Sequence, residues 1–296
     1  MSKITVAITQ MKSRGMSGPN IKAASRLVRE AAKAGAGIIL LQELFETDWF
    51  GQDILMDNIR LATTLEENPA VAHFRKLAYE LDVVIPVSFF EKKGQARYNT
   101  LAIIDAGGDI LGIYRKSHIP DGPGYSEKFY CNIGDTGFRV WSTKYAKIGC
   151  MVCWDQWFPE AARCMALQGA QMLLYPTAIG SEPDDPMLDT MQHWRTVMQG
   201  HAAANMIPVL ASNRIGIEYG RYSTITFYGS SFITDEKGGI VRQMDRSTEG
   251  FECAEFDLEE QEITRRAWGL FRDRRPDLYA PLLTLDGSTP FLKQGE

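Results

Sequence analysis

The sequence predicts a single α/β domain in which mixed sheets are covered by helices. Strand-like apolar runs alternate with segments of helical period, and hairpin signals interrupt that alternation. No linker or low-complexity tract divides the 296 residues. A single core stops growing near roughly 250–300 residues, so one large domain spanning 1–296 is expected, ending in an arm from about residue 268.

The elements follow in order. Residues 4–11 alternate like a strand, and residues 20–34 place Ala24, Leu27, Val28, Ala31 and Ala32 at helical spacing. Gly35 and Gly37 end that helix, and the wholly apolar run 38–41 reads as a buried strand. Pro69 opens a helix over 69–81, followed by a strand over 83–90. Segments 100–105 and 110–115 flank Ala106-Gly107-Gly108-Asp109, a hairpin signal. Residues 117–136 lack periodicity and are long for an internal loop, which points to a binding site. Strands are expected at 147–154, 171–175, 207–211 and 251–256. Helices are expected from Pro159 to Gly169 and over 191–205, with a polar loop at 176–189 and a hairpin around 235–239. From Trp268 the chain is basic, Pro-containing and irregular, hence the arm.

Composition narrows the function. Lys+Arg number 32 against 37 Asp+Glu, a formal charge of −5, with 45% hydrophobic and 23% charged residues. That is an ordinary globular balance, and a pI near 5.5 without a basic stripe argues against nucleic acid as a partner. The long uncharged runs 164–181 and 196–213 are broken by Gly or Pro and by Gln or Asn, so no membrane span is expected. The start, MSKITVAITQM, lacks the features of a signal peptide. Five scattered cysteines leave at least one free thiol, which fits a reducing, cytoplasmic setting.

Three residues at expected strand ends could carry chemistry: Glu43 after Ile38–Gln42, Lys116 after Ile113-Tyr114-Arg115, and Cys153 after Ile148–Val152. A carboxylate base, a cation for an oxyanion and a thiol nucleophile suffice for acyl transfer. Each also has a plain structural explanation, as a packed thiol, a cap and a solvated hairpin end, so position alone leaves the matter open. Cys150 and Cys153 form a C-x-x-C inside a β-rich run rather than at a helix start, a weak redox signal. His193 and His201 would lie roughly 12 Å apart along a helix, too far to share an ion, so no metal is expected. No P-loop, no G-x-G-x-x-G between strand and helix, and no G-x-S-x-G occurs, and no cofactor is expected.

Leu40-Leu41-Gln42-Glu43-Leu44-Phe45, Tyr114-Arg115-Lys116-Ser117-His118-Ile119-Pro120 and Gly149-Cys150-Met151-Val152-Cys153-Trp154-Asp155-Gln156-Trp157-Phe158-Pro159-Glu160 together resemble the nitrilase superfamily of carbon–nitrogen hydrolases. The likeness runs from about Lys3 to Leu283. It implies a four-layer α-β-β-α sandwich and a Glu–Lys–Cys triad at Glu43, Lys116 and Cys153, with a second carboxylate at Glu127. It also implies a homo-oligomer built from dimers. The segments 119–125, 175–183 and 211–216 extend the likeness to the subfamily that hydrolyses N-carbamoylputrescine to putrescine, ammonia and carbon dioxide. Such a small-molecule substrate, cationic at the end of a four-carbon chain, needs an apolar channel with an acidic end. Trp49, Phe50 and Trp154 are candidate walls. Asp121 and Glu182 are the favoured amine partners, ahead of Asp184 and Asp185. Segments 46–50 and 228–232 depart from the subfamily pattern. The rival readings are an amidase for N-carbamoyl amino acids, N-carbamoyl-β-alanine or ω-amides, which would want Arg195 or Arg214 in the pocket, and a non-catalytic scaffold on the same fold.

Overall fold

A computed structural model describes residues 3–289. The ends of the expected 1–296 span, residues 1–2 and 290–296, lie outside the described residues. The chain runs β1 (Lys3–Lys12), α1 (Ser17–Lys33), β2 (Ile38–Leu40), α2 (Pro69–Leu81), β3 (Ile85–Lys93), β4 (Ala96–Ile104) and β5 (Ile110–Arg115). It continues through a short helix α3 (Glu127–Tyr130), β6 (Val140–Ser142), β7 (Lys147–Cys150), α4 (Pro159–Leu167), β8 (Met172–Pro176) and α5 (Met191–Asn205). The last elements are β9 (Val209–Ser212), β10 (Arg214–Tyr219), β11 (Thr224–Tyr228), β12 (Phe232–Thr234), β13 (Ile240–Gln243), β14 (Gly250–Asp257) and α6 (Leu258–Trp268).

Burial explains the layers. Along β1, β2 and β4, alternate residues serve two cores. Val6, Ile8, Ile38, Leu40, Leu101 and Ile103 join one cluster with Ile148, Leu173 and Leu210 of the second sheet. Ala7, Ile39, Ala102 and Ile104 face Leu27 and Val28 of α1 and Phe74 and Leu77 of α2. Strands buried on both faces are why the run at 38–41 carries no polar alternation. The second sheet has the order β13-β12-β9-β8-β7-β6, with β7, β8 and β9 parallel. Its other face takes Ala161 and Met165 of α4 and Trp194, Met198 and Ala202 of α5. The result is a four-layer α-β-β-α sandwich.

Several local expectations are corrected. The strand expected over 147–154 ends at Cys150, because the chain enters a 3₁₀ turn at Cys153–Trp157. The loop 117–136 contains α3. Helix α6 precedes the arm: Asp257 caps Glu259 N at 3.0 Å and Glu260 N at 3.1 Å, acids occupy the first turn, Arg265 and Arg266 the last, and Gly269 closes it at φ +79°. Hairpins β3–β4, turning through Gly94 at φ +59°, and β10–β11 also form. Beyond α6, residues 269–289 hold two 3₁₀ turns and expose Leu278, Leu282, Leu283 and Leu285.

Candidate active site

Glu43 and Lys116 stand just past β2 and β5, and Cys153 just past β7 of the facing sheet. The site therefore forms where chain segments leave both inner layers. Lys116 N donates to Asn99 O of β4 at 2.9 Å, so the register of β4 and β5 continues to this residue. Gly134 seals that strand end: its N–H donates to Lys116 O at 2.9 Å, and a Cβ there would sit 2.1 Å from Arg115 O. Only glycine fits so close an approach.

Four side chains make one buried ionic cluster. Lys116 Nζ lies 2.9 Å from Glu43 Oε1 and 2.6 Å from Glu127 Oε1, all without solvent exposure above 1%. Asn99 Nδ2 donates to Glu43 Oε1 at 2.6 Å and to Glu127 Oε2 at 3.1 Å. Glu43 Oε2 is buried and, among the described residues, has no hydrogen-bond partner. Burial opposes the Lys116 charge, but the carboxylates of Glu127 and Glu43 hold its ammonium well above the usual lysine range. Burial, with the Glu43 charge nearby, pushes Glu127 up to about 7 against the pull of Lys116.

Cys153 is 6% exposed and sits at φ +40°, a left-handed conformation uncommon outside glycine. Its Sγ lies 3.9 Å from Ala178 O. Burial and the Glu43 charge raise the thiol well above its usual value, with Lys116 opposing, so the resting group is the neutral thiol. Cys150 points into apolar core, where burial alone raises it, and both cysteines are free. Among the described residues no cluster suited to a metal ion occurs.

A cavity of about 360 Å³ opens on Cys153. Asp121, Glu127, Glu182, Trp154, Trp157, Tyr125 and Ile179 are among its walls, and among the described residues no Lys or Arg lines it. Burial raises the half-exposed Glu182 carboxyl. Trp154, Asp121 and Glu182 thus stand where the sequence suggested. Trp49 does not: it is buried behind Tyr125, at 6.3 Å between ring centroids, with Nε1 donating to Gly124 O at 2.9 Å. Phe50 likewise packs on Phe90 and Tyr130. Asp184 and Asp185 are outside the cavity. Arg195 engages Gln243 and Gln192.

Arg214 has structural employment. Only 2% exposed, it donates to Glu43 O at 3.1 Å, Thr47 O at 3.0 Å and Glu218 Oε1 at 2.9 Å, and also to Leu44 O. It pins the turn that presents Glu43, in which Leu44 is left-handed at φ +45°. From the sequence Arg214 was a candidate only for binding a substrate carboxylate, a role its buried bonds to Glu43 O, Thr47 O and Glu218 rule out, and Asn99 was not singled out. Asn99 lies in the polar first half of β4, between Tyr98 and Thr100, and carries no distinguishing signal in the sequence.

A buried carboxylate, an ammonium and a thiol beside an acid-lined cavity are the groups a cysteine-dependent hydrolase of carbon–nitrogen bonds requires. Residues 5–266 match the family described as Carbon-nitrogen hydrolase, and the chain belongs to that family. It is 60% identical to an N-carbamoylputrescine amidase of Arabidopsis thaliana, over 91% of each chain. It is 52% identical to a citrullinase of Francisella tularensis, over 94% of this chain and 98% of that one. The crystal structure of a carbon–nitrogen hydrolase from Helicobacter pylori superposes with a TM-score of 0.90 at 39% identity, covering 96% of this chain and 99% of that chain.

Proposed function

We propose that the protein is a cysteine-dependent amidohydrolase that converts N-carbamoylputrescine and water into putrescine, ammonia and carbon dioxide. The observation that carries this reading is the cavity over Cys153, bordered by Asp121, Glu127 and Glu182 and free of Lys and Arg among the described residues. A terminal ammonium is held there by the mouth carboxylates, while Trp154 and Ile179 cover the four-carbon chain.

The reaction divides in two. Glu43 Oε2, the unpartnered acceptor, takes the Cys153 proton as sulfur attacks the ureido carbon. The oxyanion lies between Lys116 Nζ and the Trp154 N–H; loss of one such donor typically costs about 3–4 kcal/mol. Collapse expels ammonia, which receives the proton from Glu43, and leaves an S-carbamoyl enzyme carrying the aminobutyl chain. Water, giving its proton to Glu43, then displaces Cys153, whose sulfur takes that proton back from Glu43, and the resulting carbamic acid releases carbon dioxide and putrescine. Glu127 holds Lys116.

Citrulline is the same ureido chain with a carboxylate added on the amine-bearing carbon, and the 52% relative makes it the second reading, within the class of N-carbamoyl amino acids. That carboxylate would meet Asp121 and Glu182 rather than a cation, which favours the simple amine. The test is ammonia release from N-carbamoylputrescine, citrulline and N-carbamoyl-β-alanine, with Cys153→Ala as blank. Cys153-dependent release from the first, with KM rising about tenfold or more in the Asp121→Asn/Glu182→Gln double variant, is expected. Release from citrulline alone overturns the substrate, and full activity of Cys153→Ala overturns the mechanism.

The same reading includes one domain over the chain, assembly into homo-oligomers built from dimers, and a cytoplasmic location. The exposed Leu282, Leu283 and Leu285 of the arm support assembly, and the unpaired cysteines support a reducing compartment. Among the described residues no helix is long and apolar enough to cross a membrane.

A further inference from the structure

The segments bearing Lys116 and Cys153 come from different sheets, and one buried carboxylate joins them. Asp155 has no solvent exposure. Its Oδ1 accepts from His118 N at 2.9 Å and lies 2.7 Å from His118 Nδ1, which must carry the proton toward a carboxylate. Its Oδ2 accepts from Tyr114 OH at 2.8 Å and from Val152 N at 3.0 Å. Tyr114 and His118 are the second neighbours of Lys116 on either side, and Val152 immediately precedes Cys153. The His118 ring is stacked on Phe158, with centroids 3.6 Å apart and 6° between planes, where the Cys153 turn hands over to α4.

We propose that Asp155 is a positioning residue that sets the Cys153 sulfur against the Lys116 ammonium. It touches neither substrate nor reacting atom. Its four accepted bonds fix the relative placement of nucleophile and oxyanion cation, and hold Cys153 in a left-handed backbone that a free loop would leave. Only an ionised carboxylate suits the place. An Asn amide would turn an NH₂ toward two donors, releasing one of the two segments whichever way it faces.

The inference rests on the proposed roles of Cys153 and Lys116, and its test separates the two. In Asp155→Asn, kcat for ammonia release should fall about 10²-fold, the scale of a 1 Å misplacement, with KM within about threefold. Alkylation of Cys153 by iodoacetamide, which needs no substrate, should slow about tenfold or more, and its pH profile should shift. Tyr114→Phe removes a single donor, and a smaller fall in kcat at constant KM is expected; this variant carries the test if Asp155→Asn does not fold. A folded Asp155→Asn with a lowered melting temperature but unchanged kcat and alkylation rate would reduce Asp155 to a structural residue and overturn the proposal. Unchanged kcat in Tyr114→Phe, in its turn, would do the same. A wild-type enzyme that releases no ammonia defeats the assigned function instead, and leaves the alkylation comparison to decide on Asp155.

Discussion

Arg115 and Lys116 are consecutive, and each cation lies between two carboxylates, yet the two arrangements differ in kind. Arg115 donates from Nε and Nη2 to the two oxygens of buried Glu91, at 2.8 and 2.7 Å, and from Nη1 to Asp135 at 2.8 Å. Thr100 adds a bond to Glu91 at 2.6 Å, and the Tyr98 ring lies 4.0 Å from the guanidinium. Every Glu91 oxygen is engaged. Lys116 meets Glu43 and Glu127 as a point charge and leaves Glu43 Oε2 bare. A planar fork saturates its acid; a single ammonium leaves capacity over. The saturated cluster has no acceptor left over, and the unsaturated one keeps an oxygen open, the place proposed for the Cys153 proton.

Substitutions at both positions put that contrast at risk. Lys116→Ala should have the largest effect, lowering kcat by about 10³-fold or more, because it removes the proposed oxyanion cation and abandons two buried carboxylates. Lys116→Arg should restore folding better than turnover, read as melting temperature against kcat; equal recovery of both would erase the distinction. Arg115→Ala should destabilise the protein by about 3–5 kcal/mol in urea unfolding, since Glu91 is left charged and buried, while the surviving folded enzyme keeps most of its kcat. A kcat loss as large as that of Lys116→Ala would show the Arg115 cluster to be part of the chemistry.

Glu127 sharpens the comparison through pH. Its folded pKa of about 7 lies above the ordinary carboxyl value of 4.5, so the folded protein holds this proton longer than the unfolded chain. The stability it contributes is complete below pH 4.5 and is lost as pH rises through 7. Glu127→Gln should flatten the melting temperature over that window, the smallest of the three effects. An unchanged slope would mean that Glu127 is ionised throughout.

Legibility in the sequence followed distance along the chain. Glu43, Lys116 and Cys153, the residues proposed for the chemistry, could be picked out because each sits in a distinctive local segment at the end of an apolar run, and the structure brings all three to one site. Helices α2 and α5 were legible to the residue from periodicity and Pro69. Helix α6 had visible caps in Asp257 and Gly269, yet residues 257–267 were given no element, because the segment is mostly charged and only Leu258 and Gln261 of it are buried. Trp49 was misplaced for the opposite reason: six residues past Glu43 in the chain, the turn pinned by Arg214 carries it behind Tyr125. The roles of Asn99 and Asp155 were not legible, since Glu43 and Glu127 for the one, and Tyr114 and His118 for the other, lie tens of residues away and are brought near only by sheet pairing and by the closing of two layers.

The acid-lined cavity has a consequence for leaving as well as entering. The proposed substrate carries one positive charge and putrescine carries two, so the carboxylates that recognise the first attract the second at both ends. Cleaving the carbamoyl group unmasks a second ammonium close to Glu43 and Glu127, inside a site already short of cations. The diamine is therefore a natural competitor for the empty enzyme, with a grip that loosens as ionic strength rises. Putrescine that accumulates occupies the free site and slows turnover by competition with the substrate.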